Sequence, residues 1–212
     1  YEALKVQHTN GNNTAVGYQA GVAVTTGAAN DLYGYQCGDK ITTGYANTIY
    51  GGFSMDSGAA TTGYNNVGIG TSLMRNLTSG HSNTAAGVRA LADNTTGTAN
   101  TSIGYESLTN NTTADGNVAV GSEALFTNTT GTGNTAVGFI SLKTSTGASF
   151  NTAVGSASGD VVTTGASNVM IGTDAAGAST TGSENCYIGR SAGLHETAMT
   201  VGNRNNVMGA YS

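Results

Sequence analysis

The sequence contains no proline, no tryptophan and few charges, with 7 basic and 12 acidic residues among its 212 positions. So few cations leave no basic stripe that could follow a phosphate backbone, which argues against nucleic-acid binding. No apolar run approaches the roughly 18 residues needed to cross a bilayer, and the first residues do not resemble a signal peptide. We therefore predict neither a nucleic-acid partner nor membrane insertion.

Residues that carry chemistry are also sparse. The histidines His8, His81 and His195 have no histidine or cysteine at ligand spacing, and the sequence lacks a phosphate-binding G-x-x-x-x-G-K-[ST] loop. Glu106 and Glu123 hold equivalent repeat positions, but we interpret them as solvated surface residues rather than as a catalytic pair. We predict a protein that has no metal or other cofactor and is not an enzyme.

What the sequence has in abundance is a repeat. The phrase N-T-A-V-G occurs at Asn13–Gly17, Asn134–Gly138 and Asn151–Gly155, and eight looser copies keep its asparagine and its glycine. Nine of the ten steps between copies equal the step from Asn134 to Asn151, and the step from Asn47 to Asn66 is longer by two. A fixed period of this size is typical of proteins whose units pack only on their neighbours. The predicted structural positions are Asn13 with Gly17, Asn30 with Gly34, Asn47 with Gly51, Asn66 with Gly70, Asn83 with Gly87, Asn100 with Gly104, Asn117 with Gly121, Asn134 with Gly138, Asn151 with Gly155, Asn168 with Gly172, and Asn185 with Gly189.

Each repeat predicts the same local structure. The three residues after the asparagine form a short strand, and the third of them is β-branched or aromatic in nearly every copy. We expect this third residue to face inward with the residue four places after the glycine, as in Val120 with Leu125 and Val137 with Leu142. A second short strand or extended segment is expected to carry these leucines. The glycine makes one turn, and a closing Thr-Thr-Gly, as in residues 25–27, makes the return turn.

Such a unit is one rung of a parallel β-solenoid, so the predicted fold is all-β with a 17-residue rung. Residues 1–193 are the solenoid, roughly 55 to 60 Å long, and they begin with the rear half of a unit whose front is missing. The two extra residues between Gly51 and Gly63 must bulge outward. Residues 194–212 hold irregular, compressed copies at 198–202 and 205–209, which we interpret as a cap or as a junction to a following domain.

The repeated asparagine has two interpretations. Its side chain can hydrogen-bond the asparagine of the next rung, so that a stacked amide ladder runs along the axis. Alternatively, asparagine occurs there because it tolerates the left-handed backbone conformation of a turn. The sequence leaves both interpretations open.

N-T-A-V-G followed by G-Y-Q-A-G at Gly17–Gly21 or G-S-E-A-L at Gly121–Leu125 resembles the repeats of two kinds of adhesive protein. It is similar to the head repeats of trimeric autotransporter adhesins of the YadA type, and still more to the Gly/Thr/Asn-rich repeats of bacteriophage tail fibres. The resemblance covers almost the whole chain. It implies a left-handed parallel β-roll, three copies side by side, and an extracellular location in a virion tail fibre or cell-surface appendage. The adhesin head repeat is shorter than the repeat of this chain, so the connecting loop here must be longer or extended.

A thin core independently favours a homotrimer. Each rung offers only two or three modest apolar side chains, which at ~25 cal/mol per Å² contribute little beside ~1.5 kcal/mol of entropy for each ordered residue. Three rods packed along their Val/Ile faces would bury a second surface without lengthening the chain. We therefore expect the rungs not to fold as monomers at low concentration.

The two cysteines, Cys37 and Cys186, stand at different repeat positions and nine rungs apart. At ~4.8 Å per rung this is ~43 Å, whereas a disulfide requires Cα atoms within ~7 Å. No intrachain disulfide is predicted. We interpret both cysteines as small buried residues, with stacking of copies around a trimer axis as the alternative.

Aromatic residues in the first four units are the candidate binding surface. Pairs of tyrosines share a repeat position in neighbouring rungs, either after the turn glycine, at the third strand place, or two places before the asparagine. These rings either stack across rungs to support the rod or offer a platform on which a saccharide binds. The candidate ligand-binding residues are Tyr18, Tyr35, Tyr45, Tyr64 and Phe53, and the other pair is Tyr33 with Tyr50.

The leading functional hypothesis is a structural and adhesive fibre segment of a phage tail or similar appendage, acting as a rigid, receptor-binding rod. Its expected partners are its own copies and a polysaccharide or protein receptor on a host surface. One alternative is the head of an autotransporter-type adhesin. A second is an ice-binding solenoid, since Thr-Thr pairs recur with the period of the repeat, although these threonines are adjacent and precede a turn. A third, a polysaccharide-cleaving fibre enzyme, would need two acidic residues meeting in a groove.

Overall fold

The structure is a computed structural model that describes residues 1–7, 11–56, 58–194 and 202–211. It is an all-β solenoid of about eleven turns, in which twelve parallel strands of three residues form one sheet in sequence order. This confirms the predicted solenoid and its 17-residue rung. The strands are β1 Thr14–Val16, β2 Asp31–Tyr33, β3 Thr48–Tyr50, β4 Val67–Ile69, β5 Thr84–Ala86, β6 Thr101–Ile103, β7 Val118–Val120, β8 Thr135–Val137, β9 Thr152–Val154, β10 Val169–Ile171, β11 Cys186–Ile188 and β12 Asn206–Met208.

Strand register is kept through both irregular steps. Thr48 of β3 pairs with Val67 of β4 across the longer step, in which two extra residues are accommodated. The extra length leaves the rod, since residues 58–60 are exposed and the chain returns to the preceding rung where Ile41 and Thr61 form an isolated parallel bridge. The predicted outward bulge is therefore confirmed.

The last strand also keeps its register across a longer step, at the other end of the rod. Cys186 of β11 pairs with Asn206 of β12 across a 20-residue step. The copy at residues 205–209 thus adds a further rung to the same sheet. The other compressed copy, at residues 198–202, lies outside the described residues except for its glycine.

The leucines after the turn glycine face inward as predicted, but a second strand does not carry them. Leu91, Leu108, Leu125 and Leu142 are fully buried, and they lie in turns with φ between 47° and 56°. Left-handed residues reverse the chain direction within a few positions, which a strand cannot do in a rung of this length. The expected second strand is therefore wrong, and a series of tight turns replaces it.

The expected inward direction of the third strand residue is also wrong. The second residue faces the core: Ala119 and Ala136 are fully buried, whereas Val120 and Val137 are only half-buried on the opposite side. Tyr50, at the same place as these valines, is 44% exposed. The leucines of the opposite wall leave room for only a small side chain across from them, so alanine occupies the inner place.

Core volume is shared between these two inward positions. In several rungs whose second strand place holds alanine, as at Ala119, the place four residues after the turn glycine holds a large residue, here Leu125. Where the strand place holds the bulky Tyr187, the other position is Gly193, on which an added Cβ would lie 2.6 Å from the tyrosine ring. Close packing of a narrow interior explains this exchange, because overpacking by a few methylenes is destabilising.

The repeated asparagines form the predicted amide ladder. Asn134 donates from its backbone N and its side-chain Nδ2 to Oδ1 of Asn117, at 2.9 and 3.2 Å. Its Nδ2 also donates to the carbonyl of Ala148 in the return turn, at 2.8 Å. At this bend the left-handed residue is the one before the asparagine, for example Ala99 at φ 56°, so the turn interpretation does not account for the asparagine.

A second buried amide row escaped the sequence analysis. Asn111 donates to Oδ1 of Asn94, and Asn128 donates to Oδ1 of Asn111, each at 3.1 Å. The three residues share one repeat position, and the second row could have been predicted from this shared position. Because both amide rows are buried, each side chain needs such a partner.

The Thr-Thr-Gly segments act as the return bends, and their two threonines differ. Oγ1 of Thr95 donates to the carbonyl of Thr112 in the next rung at 2.9 Å, and Thr129 does the same to Thr146 at 3.0 Å. The second threonine, for example Thr96, is exposed. The first hydroxyl of these pairs therefore bonds the rod itself, which argues against an ice-binding surface built from the threonine pairs.

Candidate ligand-binding surface

Aromatic rings stack along the rod axis in three rows near its N-terminal end. The first row contains Tyr1, Tyr18, Tyr35 and Phe53. The centroids of Tyr18 and Tyr35 are 5.2 Å apart with 19° between ring planes, and those of Tyr35 and Phe53 are 5.1 Å apart at 56°. Parallel, in-register strands bring the same repeat position of successive rungs together, which is why Tyr18 and Tyr35 meet. Phe53 stands one place further along its rung and is held beside Tyr35 by a hydrogen bond from its backbone N to the carbonyl of Tyr35.

The second row is Tyr33 with Tyr50, and the third is Tyr45, Tyr64 and His81. Tyr33 and Tyr50 stack at 4.5 Å, Tyr45 and Tyr64 at 4.7 Å, and Tyr64 and His81 at 4.4 Å. Desolvation, followed by the neighbouring Tyr50 and Asp31, raises the pKa of Tyr33, so its phenol is neutral at physiological pH. His81 was missed as a member of the row, although it stands two places before Asn83, as the tyrosines of this row stand before their own asparagines.

The five predicted ligand-binding residues do not form a single site. The structure brings Tyr18, Tyr35 and Phe53 together in the first row and places Tyr45 with Tyr64 in the third. No ring contact joins one row to another within the part of the chain that the structure describes. Stacking across rungs is observed, and ligand binding by these residues stays a prediction.

Stacking limits where a sugar can contact a ring face. Inside a row each ring covers the face of the next, so mainly edges and hydroxyl groups reach solvent. The first row ends at Phe53, which is 43% exposed and tilted away from Tyr35. The equivalent place in the next rung holds the small Ser72, so no further ring covers Phe53. Phe53 is therefore the last ring of the row at this end, and it is partly exposed to solvent.

A cavity of about 310 Å³ lies next along the same side of the rod. It is lined by Ser72, Arg75, Arg89, Ala92 and Asp93. Sequence reasoning missed this site, although its two arginines are among only 7 basic residues and fall in adjacent rungs.

Its charged side chains have different partners. Arg89 donates to Glu106 at 2.8 Å, and Asp93 accepts from Nδ2 of Asn76 at 2.8 Å. Arg75 is exposed and forms no ion pair with any residue that the structure describes. Desolvation raises the pKa of Asp56, and the nearby Arg75 charge opposes this shift. The cavity therefore combines hydrogen-bond donors and acceptors with two arginines whose charges are partly offset by neighbouring carboxylates.

An apolar surface runs along the outside of the sheet. We call it the outward strand face, and it consists of the first and third residues of each strand. Its third places are apolar and exposed over much of the rod, with Ile103 41% exposed and Ile171 40% exposed. Further exposed members are Val16, Ile69, Val154 and Ile188. A row of this kind on an isolated chain marks an interaction surface.

The cysteines occupy different environments. Cys37 is buried, and this burial raises the pKa of its thiol to about 12, so it is a small core residue as predicted. Cys186 is only half-buried, because it is the first residue of β11 and belongs to the outward strand face. The prediction of a buried cysteine is wrong for Cys186. Both thiols are free.

No family model matches this sequence, and neither a curated protein nor a solved structure matches it significantly.

The described parts of the chain contain no group of three or more histidine, cysteine, aspartate or glutamate side chains that could hold a metal ion. His8 and His195 lie outside those parts. Within the same described residues, no helix has the length and hydropathy to cross a membrane.

Proposed function

We propose that this chain is a structural and adhesive rod segment of an extracellular fibre, with a phage tail fibre as the first candidate and an autotransporter-type adhesin head as the second. The observation that carries the proposal is the unbroken sheet, in which every strand pairs with the next one in sequence. Eleven steps of ~4.8 Å make a stiff body about 53 Å long. Such a body separates its two ends by a fixed distance, which is what a fibre segment does.

We further propose that three rods associate side by side in a left-handed β-roll arrangement, through the outward strand face. The exposed Ile103 and Ile171 point away from the chain's own core, so a neighbouring copy can cover them without refolding either chain. Closed trimers bury such a face on every copy and leave none exposed. Light scattering is expected to give a mass of three chains.

A double variant, Ile103→Asp with Ile171→Asp, tests whether the trimer forms through the outward strand face. Two buried, unpaired carboxylates per chain should break the trimer, because uncompensated charges in an apolar interface are costly. The matched control is Tyr105→Asp with Thr173→Asp, which adds the same charges in the same rungs, two residues further along the chain at exposed positions. A mass of one chain for the unmodified protein, or a trimer that survives the double variant, would contradict the proposal.

The adhesive part of the proposal rests on the exposed aromatic rows. Replacing Tyr18 and Tyr35, or Tyr45 and Tyr64, with alanine should weaken binding to host cells or glycans by about tenfold or more, since stacking and shape complementarity are lost. Tyr105→Ala with Phe139→Ala is the control, because these residues also follow turn glycines and are 51% and 56% exposed. Glycan-array or cell-binding assays measure the effect, with circular dichroism to verify folding. Equal binding by all variants would exclude the rows as the contact.

A further inference from the structure

We propose that the cavity lined by Arg75 and Arg89 binds the carboxylate of an acidic saccharide whose neighbouring sugar stacks on Phe53. The inference rests on the proposed adhesive function and names its ligand class, an oligosaccharide that carries uronate or sialate groups. The main contact with the saccharide then lies at the end of the first row and not in the middle of the aromatic rows.

Phe53 and the cavity lie next to each other along the rod. Phe53, Ser72 and Arg89 all stand two places after a turn glycine, in three successive rungs. Backbone hydrogen bonds hold these segments one above another: Ser72 N donates to Gly52 O and Arg89 N donates to Thr71 O, both at 3.0 Å. From Phe53 to Arg89 is therefore two rungs, or ~10 Å along the axis. A chain of sugars lying parallel to the rod would contact both.

The two arginines of the cavity are not locked in buried ion pairs. Arg75 forms no ion pair with any described residue, although its charge acts on Asp56, and the exposed Arg89 is paired with Glu106. A guanidinium binds a carboxylate through paired N–H donors, which makes these arginines suited to a planar anion. Asp93 also lines the cavity. Its negative charge opposes a dianion such as a phosphate more strongly than a single carboxylate, which favours the carboxylate.

The polar lining of the cavity matches a saccharide. Ser72 supplies a hydroxyl group, and Asp93 is an acceptor that Asn76 holds in position by a 2.8 Å hydrogen bond. Sugar hydroxyl groups both donate and accept, so they match this lining. The apolar face of a sugar ring matches the exposed ring of Phe53. The end of the first row therefore offers both contacts that an acidic oligosaccharide needs, an exposed aromatic ring and a cavity with two arginines.

The experiment uses the assembled protein on an array that presents uronate- and sialate-bearing glycans, their carboxyl-reduced counterparts and phosphorylated glycans. The unmodified protein is expected to bind carboxylate forms about tenfold or more tightly than the reduced forms, and less tightly as salt rises. Arg75→Gln and Arg89→Gln should each remove most of this preference. Arg190→Gln is the control, since it removes the same charge from an exposed site near the other end of the rod.

The outcomes separate this inference from the proposed function. Binding to neutral glycans that depends on the aromatic rows, with no preference for carboxylates, would overturn the inference and leave the adhesive function intact. Preference for phosphorylated glycans, or carboxylate binding that the two arginine variants do not change, would also overturn it. Carboxylate binding that depends on the arginines but not on Tyr18, Tyr35, Tyr45 or Tyr64 would support the cavity and reject the rows. Absence of binding to any glycan would overturn the inference, and cell binding that the tyrosine variants weaken would still support the aromatic rows.

Discussion

Gly104→Ala is expected to abolish folding or to cost more than about 4 kcal/mol, the range reached only by severe backbone or core defects. Gly104 has φ +135°, which residues with a side chain rarely adopt. An added Cβ would also lie 2.5 Å from the carbonyl O and 2.6 Å from the carbonyl C of Gly121, which are backbone atoms of the next rung. The rung spacing would have to increase, and the strand hydrogen bonds of β6 with β7 would be lost. Urea unfolding followed by circular dichroism measures the effect.

The matched control lies in the same rung. Gly116 also has positive φ, at +67°, but an added Cβ there would meet no atom within 4 Å. Gly116→Ala should therefore cost only about 1 to 2 kcal/mol, the strain of a left-handed alanine. A Gly104→Ala variant as stable as Gly116→Ala would show that close approach of rungs does not require the turn glycine.

Asn117→Ala is the second substitution with a large expected effect, about 3 to 5 kcal/mol of lost stability. Its fully buried side chain donates to the carbonyl of Gly131 at 2.9 Å and accepts from the backbone N of Asn134 at 2.9 Å. Alanine leaves the backbone N–H of Asn134 without its acceptor, at a cost of about 1 to 3 kcal/mol, and leaves a small cavity. The carbonyl of Gly131 loses one of its two donors and keeps the other, Asn128. The amide ladder is interrupted in the middle of the rod.

Thr130→Ala in the same rung is the control. Thr130 is exposed, as the second threonine of its Thr-Thr-Gly, so its loss should change stability by no more than about 0.5 kcal/mol. Denaturant unfolding of both variants at equal protein concentration gives the comparison, since assembly shifts apparent stability. If Asn117→Ala matched Thr130→Ala, the ladder would be a consequence of the fold and not one of its supports.

Both defects should also affect the rod as a whole. Stability in a stack of repeats is the sum of unit terms and nearest-neighbour terms, so one broken interface divides the stack into two shorter ones. Limited proteolysis near residue 104 or 117 would then increase. A rod that must hold its ends at a fixed distance depends on every such interface.

The positions of the turn glycines and of the Asn134 row could be predicted from the sequence, whereas the second amide row and the turns that carry the leucines were missed. Asn134 and Gly138 repeat because every rung makes the same hydrogen bonds and the same close approach to its neighbours. A fixed repeat period reports contacts between equivalent residues, and these contacts are local along the axis. The outward bulge after Gly51 followed for the same reason, since an insertion that preserves register can only leave the rod.

The direction of the strand residues was decided by the tertiary structure. In Val118–Val120 the flanking valines are more hydrophobic than the central alanine, so hydrophobicity alone points the wrong face inward. Leu125 comes from the opposite wall and fills the narrow interior, which leaves space for Ala119 but not for valine. The width of the folded rung therefore determines which strand residues face the core.

For the candidate site, too, the sequence predicted one part and the folded structure decided the rest. Tyr45 and Tyr64 could be paired from the sequence, because they hold one repeat position in neighbouring rungs. Neither the separation of the aromatic rows nor the cavity at Arg75 and Arg89 could be read from spacing. They depend on where different segments of one rung lie around its perimeter, and periodicity carries no information on that. The sequence by itself thus determined the repeat along the axis, and the tertiary structure decided which side chains face the core, the solvent and each other, since only the folded rung brings its segments together.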